Sequence, residues 1–348
     1  MKNIDIVVVC VPTPVDDDKL PNLTYINSAL GSVGRSLMSK QLVIIESTVY
    51  PGYCEGTGKQ LLESTSSLLA GRDFHLVHCP ERINPGDKKW NVSNIPRVIG
   101  GIDDESVEVA KEFYSRITSG KLHTVSNMAE AEASKMVENA FRDINIAFVN
   151  ELARSFDGTN VDIYSVLEAS NTKPFGYMSF MPGLGVGGHC IPVDPYYLIE
   201  SAKSRNFTHS FLQLAREIND GMVNYVASKI TNFIEHSKLE NPRIGLLGLT
   251  YKPNVADTRE SQPLRLLEAL RSKGLAVQGF DPFVKSDVLS EDAIFEWADI
   301  VVVAVNHSLF IDFESKINAN SSIVAVIDAA RMLDEKSLRS AVYVGIGR

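Results

Sequence analysis

From Ile4 to Val11 the chain is apolar except for Asp5, and the run ends at Pro12-Thr-Pro14. Similar short β-branched runs recur at Leu42–Ser47, His75–Cys79, Arg97–Ile99, Arg243–Leu247, Ala276–Phe280, Ile300–Val305 and Ile323–Ile327. Each ends in a cluster of Gly, Pro, Asp or Ser, which marks a strand followed by a loop. Several are apolar at consecutive positions and not at alternate ones. That pattern predicts strands covered on both faces, in sheets whose parallel strands are joined by crossover helices.

The middle of the chain changes period. From Met128 to Phe156 there is no Gly or Pro, and Ala131, Met136, Ala140, Ile144, Ala147 and Leu152 recur at helical spacing. A second helical pattern runs from about Thr208 to Phe233, and the polar stretch Ser237 to Pro242 follows it. The prediction is an α/β protein in three parts. They are an α/β region over residues 1–125, a long-helix connector over residues 126–236, and a second α/β region over residues 237–348. A length of 348 residues is enough for two or three such cores.

A net charge of -9 argues against a nucleic-acid partner, because backbone phosphates are bound by clustered Lys and Arg. No stretch approaches the roughly 20 apolar residues of a membrane span, and the first apolar run lacks a small-residue cleavage site. The expected location is the cytoplasm. Cys10, Cys54, Cys79 and Cys190 show no repeated spacing and are expected as free thiols in a reducing compartment. His75, His78 and Cys79 could suggest a metal, but residues three apart on a strand face opposite sides, so no metal is expected there.

One segment concentrates chemistry: Gly183-Leu-Gly185-Val-Gly187-Gly-His-Cys190-Ile-Pro-Val-Asp194. Glycines ahead of a cysteine bring backbone close to a ligand and leave N–H groups to donate, and a thiol in such a nest can become a nucleophile. Asp194 is near enough in sequence to take a proton or orient water. On the long helix, Lys135 and Asn139 are four apart and share a face, as an anion clamp requires; an ordinary solvated face would read the same way. Glu81, in Pro80-Glu-Arg-Ile-Asn-Pro-Gly86, follows a strand end, where open α/β sheets hold ligands. So do Val11-Pro-Thr13-Pro and Glu46-Ser47-Thr48-Val. In the last part, Lys252 and Arg259 sit in a strand-to-helix loop where a diphosphate could bind. No G-x-G-x-x-G follows a strand, so these motifs alone do not establish a dinucleotide site.

In chain order the motifs resemble those of the UDP-glucose/GDP-mannose dehydrogenase family, nearest its UDP-N-acetylhexosamine 6-dehydrogenases. Val-Pro-Thr-Pro14, Glu-Ser-Thr-Val49, Pro-Glu-Arg-Ile-Asn-Pro-Gly86, the helix around Lys135 and Asn139, Gly-Gly-His-Cys-Ile-Pro-Val-Asp194 and Leu-Thr-Tyr-Lys-Pro-Asn-Val-Ala-Asp-Thr-Arg-Glu-Ser261 carry the likeness. The resemblance implies NAD-dependent four-electron oxidation of a UDP-N-acetylhexosamine (the manno or gluco epimer) to its uronic acid, for surface polysaccharides. A thioester would form on Cys190, with Lys135 and Asn139 stabilising the oxyanion, Asp194 as base and Glu81 assisting hydrolysis. Thr13, Ser47, Thr48 and Arg259 would contact cofactor. Glu81, Arg82, Asn84, Lys135, Asn139, Gly185, Gly187, Tyr251, Lys252 and Arg331 would contact substrate. The resemblance also implies that residues 1–125 are a truncated Rossmann-like domain for NAD, that 126–236 are a helical central part carrying homodimer contacts and the catalytic cysteine, and that 237–348 are a C-terminal Rossmann-like domain for the UDP-sugar. Family members carry a strand with a glycine fingerprint ahead of Val-Pro-Thr-Pro14, which this sequence lacks. The alternative is a truncated paralogue that only binds UDP-sugar or pairs with an intact subunit.

Overall fold

A computed structural model describes residues 4–84, 86–285 and 289–348. The chain divides into two units. One holds residues 1–141 and 193–210, the other residues 142–192 and 211–348.

The first unit is built on a five-stranded sheet ordered β1-β2-β3-β4-β5. The strands are β1 (Ile6–Val9), β2 (Leu42–Ile45), β3 (His75–His78), β4 (Arg97–Gly101) and β5 (Leu122–Thr124). The inner strands β2 and β3 are buried on both faces, as their consecutive apolar positions require, whereas Val8 of β1 and most of β5 are exposed. Val43, Ile45 and Leu76 pack with Ile26, Leu30 and Leu62 on one side. Leu42, Ile44 and Val77 pack with Ala110 and Tyr114 on the other. These partners lie on α1 (Thr24–Gly34), α2 (Lys59–Ser66) and α3 (Asp104–Ser115). One expectation fails here. β4 runs antiparallel to β3, so the sheet is mixed and not wholly parallel. The reason lies in the connection: an antiparallel neighbour needs no crossover helix, and Pro80 to Asn84 follow β3 as irregular chain. Pro85 lies outside the described residues.

The second unit carries a wholly parallel sheet ordered β10-β9-β8-β6-β7. Its strands are β6 (Arg243–Leu247), β7 (Ala276–Phe280), β8 (Ile300–Val303), β9 (Ala325–Asp328) and β10 (Val342–Gly345). One face packs on α7 (Ser210–Ser237) and α8 (Gln262–Ser272) through Val223, Val226, Ile230, Leu266 and Leu270. The other packs on α9 (Glu291–Trp297) and α10 (Phe313–Ala319) through Phe295, Phe313 and Ile317.

The predicted long helix is α4 (Met128–Phe156), with bounds as expected, and the second long pattern is α7. The short helices α5 (Ile163–Asn171) and α6 (Asp194–Lys203) complete the middle. Gly183 to Gly188 is irregular chain and follows no strand, so it is not a dinucleotide fingerprint. Among the described residues, no helix is long and apolar enough to cross a membrane.

Candidate active site

In the first unit, Asp194 opens α6, with Pro195 behind it in the first turn, a position that proline's fixed φ favours. The apolar side of α6 fixes its place: Tyr197 packs with Met136 and Val193, and its hydroxyl donates to the Thr13 carbonyl at 3.0 Å. The Asp194 carboxylate is thereby buried beside α4, where Asn139 Nδ2 donates to its Oδ2 at 2.5 Å. Burial pushes its pKa from the usual carboxylate value to about 7, opposed by the Asn139 hydrogen bond and by the Lys135 charge. Lys135, Asn139 and Asp194 thus form one assembly. A carboxylate that titrates near neutrality is suited to take a proton from water.

Asp194 also shapes pH dependence. Its folded-state pKa exceeds its unfolded value, so between about pH 4 and about pH 7 the native state binds more protons than the unfolded chain. Stability therefore falls as pH rises through that window. Glu132 on α4, raised to about 7 by burial despite hydrogen bonds from Cys54 and Gly52, acts with the same sign. We expect Asp194→Asn to flatten part of this fall. Urea midpoints of both proteins at pH 5 and pH 7 would measure it, and equal slopes would refute it.

Glu81 follows β3. Its Oε1 accepts the Arg82 and Ile83 amides, each at 2.7 Å. Its Oε2 lies 3.4 Å from Nη2 of Arg97, a buried guanidinium that also bonds Glu46 Oε1 at 2.9 Å. Tyr114 donates to the same Glu46 oxygen at 2.6 Å, and the guanidinium lies over its ring. Arg97, Glu46 and Tyr114 were not legible as a set. The available signal was a charged residue opening an otherwise apolar strand. Arg82 is paired with Glu138 of α4 at 2.6 Å and donates to the Pro96 carbonyl, while Asn84 is exposed on the same segment. Among the cofactor candidates, Thr13 and Thr48 are partly exposed past the carboxyl ends of β1 and β2. Ser47 is buried and spends its hydroxyl on the Val9 and Val11 carbonyls, so it holds the loop together.

Three further donors meet away from the predicted residues. Cys54 Sγ, His78 Nδ1 and a Glu132 oxygen are all buried and within 4.8 Å of one another. The Glu132 oxygens already accept the amides of Gly52 and Cys54, at 2.5 and 2.8 Å. Hydrogen bonding therefore accounts for the carboxylate. His78 meets Cys54 here, and not His75, which faces Ser106.

In the second unit, Cys190 is partly buried at the end of the glycine-rich segment. Gly185 has φ +104°, and a Cβ there would fall 2.3 Å from the Asn219 carbonyl oxygen. Gly187 and Gly188 lie against Tyr251, where added Cβ atoms would come within 2.9 and 2.8 Å of its side chain. The glycines are therefore needed for close approach, and the Cys190 arm lies along the Thr250–Arg259 loop. A thiolate at Cys190 would raise the pKa of both Tyr251 and Arg259 electrostatically. Arg259 is exposed and paired with Asp257 at 2.6 Å. Lys252 lies over the Tyr251 ring. Arg331 is paired with Asp162 at 3.0 Å and lies over the Tyr164 ring.

The segment is anchored by polar residues that the sequence did not single out. Asn150 of α4 accepts the Gly183 amide at 2.9 Å and donates to Asn219 of α7. Asn219 donates to Asp143, which pairs with Arg216 at 2.6 Å. The one signal was polar residues recurring on faces that are otherwise apolar. The division of the chain falls between Pro192 and Val193, so Cys190 belongs to one unit and Asp194 to the other.

Two α/β units, with motif loops at strand ends and a long helix between the sheets in sequence, define a dehydrogenase class that uses NAD and acts on nucleotide sugars. The chain belongs to the UDP-glucose/GDP-mannose dehydrogenase family: the NAD binding domain matches residues 1–118, the central domain 129–221 and the UDP binding domain 245–335. It is similar to UDP-N-acetyl-D-glucosamine 6-dehydrogenase of Pseudomonas aeruginosa, at 38% identity over 89% of this chain and 75% of that protein. It is also similar to UDP-N-acetyl-D-mannosamine dehydrogenase of Pyrococcus horikoshii, at 34% identity over 100% of this chain and 82% of that protein. The solved structure of a Pyrococcus horikoshii UDP-D-ManNAc dehydrogenase superposes with a TM-score of 0.91, covering 99% of this chain and 81% of that one at 33% identity. The Staphylococcus aureus UDP-N-acetyl-mannosamine dehydrogenase Cap5O gives 0.86, with 99% and 81% coverage and 30% identity.

Proposed function

We propose that the chain oxidises C6 of a UDP-N-acetylhexosamine, of the manno or gluco series, to the carboxylate, with Cys190 as the covalent nucleophile. The observation that carries this reading is the buried Asp194 with Asn139 and Lys135 against it. A simple alcohol dehydrogenase needs one base, whereas a hydrolysed acyl intermediate needs a base for water and donors for an oxyanion.

The loops after β1 and β2 fit a dinucleotide, because Thr13 and Thr48 lie past the carboxyl ends of parallel strands. When bound, NAD+ accepts the hydride released in each of the two oxidations. Cys190 Sγ adds to the C6 aldehyde to give a thiohemiacetal, and further oxidation leaves a thioester. Lys135 Nζ and Asn139 Nδ2 stabilise negative charge on the C6 oxygen in both addition steps. Asp194 takes a proton from the water that attacks the thioester carbon. The C–S bond then breaks, and the carboxylate and the Cys190 thiol are released. Glu81, held by two backbone amides, assists that hydrolysis.

The test is NADH production by the purified chain with UDP-N-acetylmannosamine or UDP-N-acetylglucosamine. Two NADH per uronate are expected. UDP-sugar binding by calorimetry with no NADH from either sugar would replace this reading with that of a binding-only paralogue.

A further inference from the structure

Beyond the loop that bears Lys252, the second unit contains a buried polar strut spanning three neighbouring strands. The chain leaves β6 into the Gly248–Ser261 loop, builds β7 on one side of it, and crosses to build β8 on the other. This reversal makes the carboxyl end of β6 the switch point of the sheet, where open α/β sheets take their ligands. Three groups converge there: Thr250 after β6, Asp281 after β7 and His307 after β8, exposed by 0, 2 and 3%.

Their hydrogen bonds fix the state of the imidazole. The Asn254 amide donates to His307 Nδ1 at 3.0 Å, so that nitrogen carries a lone pair. Nε2 therefore holds the proton, which faces Asp281 Oδ2 at 3.0 Å and Thr250 Oγ1 at 3.2 Å. The same Asp281 oxygen accepts the Leu249 and Thr250 amides at 2.6 and 3.1 Å, and Thr250 Oγ1 donates to the Lys252 carbonyl. Ser308 ties the Asn254 side chain from the β8 side. Phe283 and Phe310 flank the imidazole ring. Residues 249, 250 and 254 are thus held by groups that follow β7 and β8, Lys252 is held through Thr250, and Asn254 has φ +60°.

We infer that His307 is a positioning residue for the nucleotide-diphosphate site, its neutral ring acting as a strut that presents the Tyr251–Asn254 loop, and Lys252 with it, to the phosphates. The inference rests on the reading that Lys252 contacts the nucleotide sugar. A side chain that accepts from one loop and donates to another across the switch point does not merely fill a core; a phenylalanine would fill that space without either bond.

The test uses the full chain and isothermal calorimetry with UDP and with uridine, beside thermal midpoints. Losing the strut should weaken UDP binding by about tenfold in H307F, roughly one net hydrogen bond. Uridine, lacking phosphates, should shift by less than about twofold. H307N, which can still accept the Asn254 amide, should recover part of the UDP affinity. Should H307F fail to fold, H307Q serves: its amide can still donate to Asp281 but no longer accepts the Asn254 amide, and UDP binding should again weaken. The strut is overturned if folded H307F, or H307Q in its place, binds UDP as the unaltered chain does, or if UDP and uridine weaken in parallel. Absence of UDP binding by the unaltered chain would overturn the nucleotide-site reading and this inference with it.

Discussion

Replacing Cys190 with serine is expected to reduce uronate formation by about 10³-fold or more, the scale of losing a covalent nucleophile, while UDP affinity stays unchanged. The hydroxyl of serine is a far weaker nucleophile than a thiolate, and an oxygen ester is a poorer acyl donor than a thioester. The position is otherwise undemanding: Cys190 is partly buried, and the glycines before it set the backbone whatever side chain follows. UDP binding is expected at the β6 end of the sheet, through backbone that serine leaves alone. The measurement is NADH and uronate output in the steady state, with calorimetry for UDP. Uronate output within about tenfold of the unaltered chain would remove covalent catalysis from the mechanism.

The strand periodicity was legible because each buried strand is apolar at consecutive positions. Arg243–Leu247 and Ala276–Phe280 have the bounds that the sequence predicts, and α4 runs from Met128 to Phe156 as expected. β5 and β10 were missed for a physical reason. They are short edge strands of three and four residues, half-exposed, with too few buried positions to show a period. The reversal of β4 was hidden because strand direction lies in the length and content of the connection and not in the strand itself.

The chemistry divided in a similar way. Cys190, Asp194 and Glu81 stand out as candidates in the sequence because reactive residue types sit beside glycines or at a strand end, and Lys135 because it shares a helix face with Asn139. The supports do not: Asp143, Asn150, Arg216 and Asn219 interrupt helix faces singly, and only packing reveals them as one network. Asp281 follows a strand end, as a turn residue would, but its bond to His307, 26 positions away, has no local signature.

That helix network sets the second large expected effect. Arg216 is 3% exposed and meets Asp143, itself 0% exposed, at 2.6 Å. Burial raises the Asp143 pKa, while the Arg216 charge and the Asn219 and Arg216 hydrogen bonds oppose that rise. Arg216→Met keeps most of the side-chain volume but leaves Asp143 without its cation, a change that costs about 3–5 kcal/mol in a buried pair. The loss should be largest near neutral pH. It should shrink as acid protonates Asp143, because the neutral acid no longer needs a counter-charge. The double variant Asp143→Leu with Arg216→Met should recover much of the stability, since two apolar side chains avoid both desolvation penalties. It would leave Asn219 only the carbonyl of residue 143 as acceptor and not the carboxylate, so Gly183 should be held less firmly even in a well-folded double variant. Urea unfolding of all three proteins at pH 5 and pH 7 reads the energies. A loss below about 1 kcal/mol for Arg216→Met at pH 7 would mean that the pair behaves like a surface ion pair and that the helices hold the glycine segment without it.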